Sequence, residues 1–321
     1  MRILVTGATG YLGARAAEHL ADEGHEVVAL MRTRRGEGSQ WEKKMARIIT
    51  GDIREAGPLD EAAGLDPEAV VHTVSLDHNQ SEVDPSNTCA TNVASTWRLL
   101  HLLTPRGLKR FIYFSTQQVY GRTGPIVITE TTPPMPLNAY GLTHLMSEQV
   151  CELFNRKTDV TCLSLRISNG FGAPVFPSCN CWWLVINDFC KTALEKGEIR
   201  LSSDGTPQRD FIHIGDIYRA VAFLLEQPVQ NIAHGCYNLG GGETFTILEL
   251  AHTVQDVCQR QLQREIPVIM PDKRISKDAE SHKTVDRFQY DSTPLRSMGF
   301  QNGGSLQKGI AEVLSFLQDT G

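Results

Sequence analysis

The residues best suited to chemistry stand at the start of the chain. Thr6-Gly7-Ala8-Thr9-Gly10-Tyr11-Leu12-Gly13 follows an apolar run, Ile3-Leu4-Val5, and opens a helical stretch. A glycine-rich turn between strand and helix lets backbone N–H groups approach a pyrophosphate, whose charge the helix amino terminus favours. A glycine pattern alone is weak evidence, but a place after a strand and before a helix is the context it requires. Gly7, Gly10 and Gly13, with Tyr11 and Leu12, are therefore expected to hold a dinucleotide.

The end of the second strand bears on which dinucleotide. A carboxylate there accepts from the ribose 2′-OH of NAD, whereas an arginine accommodates the 2′-phosphate of NADP. This chain reads Ala29-Leu30-Met31-Arg32-Thr33-Arg34-Arg35, without a carboxylate. Arg32, helped by Arg34 or Arg35, favours NADP(H). The alternative is NAD, with the arginines in a solvated loop and Asp52 and the ribose contacts sufficing. Asp52, in Gly51-Asp52-Ile53 after the third strand, is placed to accept from the adenine amino group.

The elements that must position these residues alternate along the first half. Strand-like runs at Ile3–Val5, Glu26–Leu30, Ile48–Ile49, Ala69–Val74, Arg110–Ser115 and Val160–Ile167 are separated by helical stretches, of which Tyr11–Glu23 and about 85–103 are the clearest. Near-continuous apolar strands between helices predict a Rossmann-type, doubly wound parallel sheet covered on both faces. After Gly170 the texture changes: Gly172, Pro174 and Pro177 break the alternation, a helix is expected over about 182–196, and an amphipathic helix over 306–317. Trp182 and Trp183 read as core or lobe interface. The expected division is a dinucleotide-binding domain over 1–169, joined by a returning segment at about 210–260, and a smaller substrate-binding lobe over 170–321.

With 321 residues and a net charge of −6, the chain is long enough for both lobes and lacks the concentrated basic charge that nucleic acid or an anionic membrane would attract. No apolar run reaches the ~20 residues that span a bilayer, and the chain begins directly on a strand, so a cytoplasmic protein is expected. The eight cysteines include no CxxC pair, and Cys179 and Cys181 have no further ligand at metal spacing, so no metal is expected.

Two further blocks carry a resemblance. Ser115-Thr116-Gln117-Gln118-Val119-Tyr120-Gly121 follows the fifth strand, and Asn138-Ala139-Tyr140-Gly141-Leu142-Thr143-His144 lies in a helix beginning near Leu137. With the amino-terminal turn, Asn92, Arg166-Ile167-Ser168-Asn169-Gly170-Phe171-Gly172, Arg209-Asp210-Phe211-Ile212-His213 and Tyr237-Asn238-Leu239-Gly240, the chain from about residue 2 to 315 resembles the extended short-chain dehydrogenases, the group that includes UDP-galactose 4-epimerase. The resemblance implies that Thr116 and Tyr140 hold the sugar hydroxyl being oxidised, assisted by residue 144. Thr73, Ile53, Tyr140 and His144 would join the cofactor site. Asn169 and Arg209 would contact the nucleotide diphosphate, and Ser81 would border the sugar.

Residue 144 departs from the family pattern, being His where a Lys is usual. A phenol titrates near pH 10 and needs a nearby cation to take a proton at neutral pH. His144 either replaces the Lys when protonated, or leaves the enzyme working at more alkaline pH, or marks a chain that binds cofactor without turnover. Gln117 and Gln118 stand where sugar dehydratases place an Asp-Glu pair, and amides cannot exchange protons, so elimination is not expected. Glu280-Ser281-His282-Lys283-Thr284 lacks the second phosphate-binding Arg common in the family, leaving a Lys or His to substitute.

The expected function is NAD(P)-dependent modification of a nucleotide-diphosphate sugar, by 4-epimerisation or reduction of a keto-sugar, in a homodimer. A catalytically impaired NAD(P)-binding sensor or scaffold is one alternative. A dehydrogenase of another small alcohol is a second, disfavoured by Arg209 and Asn169.

Overall fold

The computed structural model describes residues 1–122, 126–233, 235–271 and 287–320. Its centre is a seven-stranded parallel sheet built from β1 (Arg2–Thr6), β2 (Glu26–Met31), β3 (Arg47–Thr50), β4 (Ala69–His72), β5 (Arg110–Thr116), β6 (Thr161–Ile167) and, skipping two strands of the smaller lobe, β9 (Cys236–Leu239). The order across the sheet is β9-β6-β5-β4-β1-β2-β3. Every residue of β4 and β5 is buried, as a strand covered on both faces requires. Along β1, Ile3 and Val5 join one apolar core and Leu4 the other, because successive side chains point to opposite faces.

The order reverses between β1 and β4, which places a crevice at the carboxyl ends of these strands. Thr6, His72 and Thr116 all end strands on this edge.

Two expected elements take a different form. The helix read over 85–103 is broken into α-helix Pro85–Thr88, a π-helical stretch Cys89–Ala94 and α-helix Ser95–Leu103. Asn92 lies in the π-helical part, and there its side chain bridges two elements: it accepts from Leu76 N (3.0 Å) and donates to Thr143 Oγ1 (3.0 Å). The second difference lies within 210–260. Residues Gln208–His213 form β8 of a three-stranded sheet in the smaller lobe, between β7 (Asn169–Phe171) and β10 (Thr244–Thr246). The segment that returns to the large sheet is helix Ile214–Glu226, packed on helix Tyr11–Asp22, followed by β9. Helix Ile247–Leu262 instead joins Val185–Lys196 and Leu306–Thr320 around the lobe's own core of Phe189, Leu250, Val254 and Ile310.

A buried polar network ties β5, β6, β9 and helix Ala139–Lys157 together. Arg166 on β6 bonds Glu148 on the helix (Nη2–Oε2 2.7 Å), and Glu148 accepts from Ser115 on β5 (2.5 Å). Arg166 also donates to Tyr120, whose hydroxyl donates to Asn238 on β9 (2.7 Å). Removing one member of such a pair leaves an uncompensated buried charge. Glu148→Leu should therefore cost about 3–5 kcal/mol in urea unfolding, and Glu148→Leu combined with Arg166→Met should recover most of it. Equal stability of wild type and the single variant would contradict this.

Candidate active site

Two adjoining clefts lie at the carboxyl edge of the sheet. The first, about 260 Å³, is lined by Gly7, Thr9, Gly10, Arg32, Arg35, Asp52, Ile53, Arg54 and Thr73, among others. The second, about 250 Å³, is lined by Tyr11, Leu12, Thr116, Tyr140, His144 and Asn169, and by residues named below. Thr73 and Ser75 line both, so the clefts meet there.

The first cleft has the geometry of a pyrophosphate cradle. Gly7 has φ +67, a backbone state that favours glycine, and its carbonyl accepts from Gly10 N at 2.8 Å. A Cβ on Gly13 would lie 2.3 Å from Gly7 O and 2.7 Å from Thr73 Oγ1, so Gly13 does not line the cleft but lets the helix seat against the turn. Helix Tyr11–Asp22 starts after Gly10 with no side-chain cap and no acidic residue in its first turn, leaving its leading N–H groups to an anion.

The three arginines after β2 part company. Arg32 is exposed and lines the cleft. Arg34 does not: it is bound to Glu42 through Nε (2.7 Å) and Nη2 (3.0 Å), which removes it as a partner for a 2′-phosphate. Arg35 lines the cleft while donating to Ser178 O (3.0 Å). Asp52 also faces the cleft, but Arg54 grips its carboxylate from the backbone N (2.9 Å), Nε (2.9 Å) and Nη2 (2.5 Å). The Arg54 guanidinium holds Asp52 well below the ordinary carboxylate range, at about 2.

In the second cleft, Thr116 ends β5 and caps the following 3-10 turn, accepting from Gln118 N (3.2 Å). Asn138 caps helix Ala139–Lys157, accepting from Gly141 N (2.7 Å) and donating to Gln118 Oε1 (3.0 Å). Glu82 accepts from Ala139 N (2.6 Å). These contacts fix Tyr140 in the first turn, where it lines the cleft together with Thr116. Burial pushes the Tyr140 phenol up to about 12, with the Thr116 bond pulling down and the Asp77 carboxylate adding to the rise.

His144 stands beneath Tyr140, with ring centroids 4.5 Å apart. It is 2% exposed. Tyr113 OH lies 2.7 Å from Nδ1, and Ser75 Oγ lies 3.0 Å from Nε2. Either neutral tautomer satisfies the ring, one nitrogen donating and the other accepting, with the Ser75 and Tyr113 hydroxyls turned to match. The ring is satisfied while neutral, and burial drives its pKa down to about 3. Burial thus weighs against a protonated His144 in the place of the Lys. Among the described residues lining this cleft there is no Lys or Arg.

Two further expected residues lie away from the clefts. Ser81 is wholly buried and donates to Leu76 O (3.4 Å), so it shapes the loop without reaching the cleft. Arg209 is exposed, lines neither cleft and donates to Gln208 O (2.8 Å). Its neighbour Asp210 is spent on Gly241 N (2.8 Å) and Gly242 N (3.0 Å). Asn169 does reach the cleft, anchored to Asp210 O at 2.8 Å. The stretch Glu280–Thr284 lies outside the described residues.

The sequence reading missed Asp77, His78, Asn180 and the cleft role of Trp183. Trp182 packs against both lobes' cores, as its reading as interface expects, but Trp183 is 49% exposed at the cleft. All eight cysteines are free, and no group among the described residues is arranged to hold a metal. No helix among them is long and apolar enough to cross a membrane.

This geometry separates two glycines that the sequence treats alike. Gly10 is exposed and a Cβ there meets only Gly7 O, at 3.1 Å. Gly10→Val should therefore melt close to wild type while losing dinucleotide affinity by about 100-fold or more, because its side chain fills the phosphate's place. Gly13→Val should destabilise the fold itself. Calorimetry and thermal melting of both variants check this; unchanged affinity in a folded Gly10→Val protein would refute the cradle.

Comparison with known proteins agrees with this fold. The model of the NAD dependent epimerase/dehydratase family matches residues 3–240. The UDP-glucose 4-epimerase of Bacillus subtilis is 28% identical over 299 residues, covering 85% of this chain and 86% of that protein. In fold, the chain is similar to the UDP-N-acetylglucosamine 4-epimerase from Methanobrevibacter ruminantium (TM-score 0.83, 22% identity, covering 100% and 99% of the two chains). It is also similar to a Thermus thermophilus UDP-glucose 4-epimerase in complex with NAD (TM-score 0.82, 23% identity, 99% of each chain). The chain belongs to the NAD-dependent epimerase/dehydratase family of extended short-chain dehydrogenases.

Proposed function

We propose that the protein is an NADP(H)-dependent keto-sugar reductase acting on a nucleotide-diphosphate sugar, with Tyr140 as the proton donor. The observation that carries this reading is the charge balance around Tyr140: a phenol pushed up to about 12, a neutral His144 beneath it and no Lys or Arg among the described lining residues. A protonated phenol suits reduction. The reduced nicotinamide would supply hydride to a keto carbon. Tyr140 donates its proton to the oxygen as negative charge develops there, and the Thr116 hydroxyl holds the same oxygen. Asn169 is the proposed contact to the substrate's phosphates.

Arg32 supports NADP(H). It faces the cofactor cleft where a carboxylate would read a free ribose hydroxyl, and the nearest cleft carboxylate, Asp52, is committed to Arg54. The NAD named with the Thermus thermophilus neighbour weighs the other way. A second reading, 4-epimerisation, is favoured by the names of the relatives; it needs Tyr140 first as a base, and the oxidised nicotinamide's own positive charge would have to lower the phenol pKa. Helices Ser95–Leu103 and Ala139–Lys157 leave Trp97, Leu142 and Met146 exposed. We assign these helices to a two-fold four-helix dimer interface, and light scattering giving a monomer at micromolar concentration would refute it.

The central test uses UDP-, dTDP-, GDP- and CDP-sugars in 4-keto and 4-hydroxy forms. Reduction with NADPH should run at a rate nearly flat through neutral pH, since Tyr140 stays protonated and loses its proton only as pH climbs toward about 12. Oxidation should instead rise by about tenfold per pH unit while the phenol is mostly protonated. Tyr140→Phe should cost about 100-fold or more in kcat. Calorimetry on wild type and Arg32→Ala should show NADPH bound more tightly than NADH in the first and the preference lost in the second. Full activity of Tyr140→Phe would refute the catalytic assignment, and NAD preferred by wild type would refute the reading of Arg32. Tight cofactor binding with no turnover across the panel would leave the binding-only role.

A further inference from the structure

Buried polar atoms in folded proteins nearly always have partners, so one without a partner in a cleft marks a place that a ligand can complete. Three such atoms line the second cleft; Ser168 Oγ has the Asp210 carboxylate beside it, which leaves two, on His78 and Gln117. His78 Nδ1 and Gln117 Oε1 are both shielded from water and have no hydrogen-bond partner. Both residues line the second cleft with Thr116 and Tyr140. They arrive from different elements: His78 opens the short helix His78–Val83 after β4, and Gln117 follows Thr116 directly. The His78 ring meets Tyr140 edge to face, with centroids 6.5 Å apart.

Their polar neighbours are already engaged. Gln118 Oε1 accepts from Asn138. Asp77 accepts from Gln80 N (2.8 Å) and from Asn180 Nδ2 (3.0 Å). His144 is bonded at both ring nitrogens. With Ser168 turned to Asp210, His78 and Gln117 remain, and each offers an acceptor: an imidazole nitrogen when the proton sits on Nε2, and an amide carbonyl oxygen.

We propose that His78 and Gln117 read the sugar, each completed by a ring hydroxyl near the carbon that Tyr140 serves. The inference rests on the nucleotide-sugar reading above. Two acceptors select donors, so the favoured substrate class is a hexose with free hydroxyls at these positions. A sugar deoxygenated there leaves both atoms unmet, and a site built to bond a hydroxyl discriminates strongly against the analogue lacking it.

The test needs no turnover. Affinities of wild type, His78→Phe and Gln117→Leu are measured by calorimetry for UDP, dTDP, GDP and CDP and for the corresponding glucose nucleotides, alongside melting of the ligand-free proteins. Each variant should bind the preferred nucleoside diphosphate within about twofold of wild type and lose about tenfold in affinity for its glucose nucleotide. Ligand-free, each should melt at the same temperature or about 1–3 °C higher, because a buried polar atom without a partner has been removed. Unchanged glucose-nucleotide affinity in both variants would overturn the proposal, and a loss confined to one would overturn the assignment of the other. A variant that melts lower and weakens nucleoside diphosphate and glucose nucleotide alike would show a structural role instead. If wild type binds no nucleoside diphosphate and no glucose nucleotide, the nucleotide-sugar reading itself falls.

Discussion

The chemistry of the cleft depends on one buried ring. His144 sits where water cannot reach it, with a hydroxyl partner on each nitrogen, so the neutral ring is satisfied and adding a proton would cost it burial energy. A Lys at that position would bring a permanent charge to Tyr140. The imidazole brings shape and hydrogen bonding alone. The phenol above it therefore keeps the high pKa that burial imposes, and the site is held in its proton-donating form.

That arrangement needs a rigid platform, because a shift of an ångström would separate Tyr140 from Thr116. Asn138 caps the helix and latches Gln118. Asn92 pins the loop after β4 to Thr143, one residue before His144. Farther along the same helix, Glu148 is clamped between Ser115 and Arg166. Ser115 is adjacent to Thr116 on β5, so the ion pair and the hydroxyl proposed to hold the reacting oxygen share one strand end. The Asn92–Thr143 and Glu148 contacts are buried, where a lost partner is not replaced by solvent.

The sheet and the glycine turn were legible in the sequence for physical reasons, whereas Thr116 and Tyr140 were named by resemblance alone. Strands covered on both faces must be apolar throughout, and a turn that crowds Thr73 admits only glycine at Gly7 and Gly13. The state of His144 was not legible. Spacing along a helix names the face a side chain occupies, but its partners come from Ser75 after β4 and Tyr113 on β5, which only tertiary packing brings together. The same limit explains Arg34, which falls to Glu42 on the next helix, and Arg209 and Ser81, whose strand and loop lie beside the cleft without opening into it. His78 and Trp183 carried no local signal, since one opens a six-residue helix and the other lies in a turn, and only packing around Tyr140 brings them to the cleft.

The most direct test is to follow Tyr140 itself. Protein carrying 13Cζ-tyrosine, with Tyr140→Phe to assign the resonance, can be titrated by NMR with NADPH bound. The account predicts a Tyr140 signal that stays in its protonated position through pH 9 and begins to move only above pH 10. His144→Lys should bring that movement to lower pH. A wild-type Tyr140 that titrates near pH 7 would contradict the account, because a cation that the cleft does not show would then be holding the phenolate.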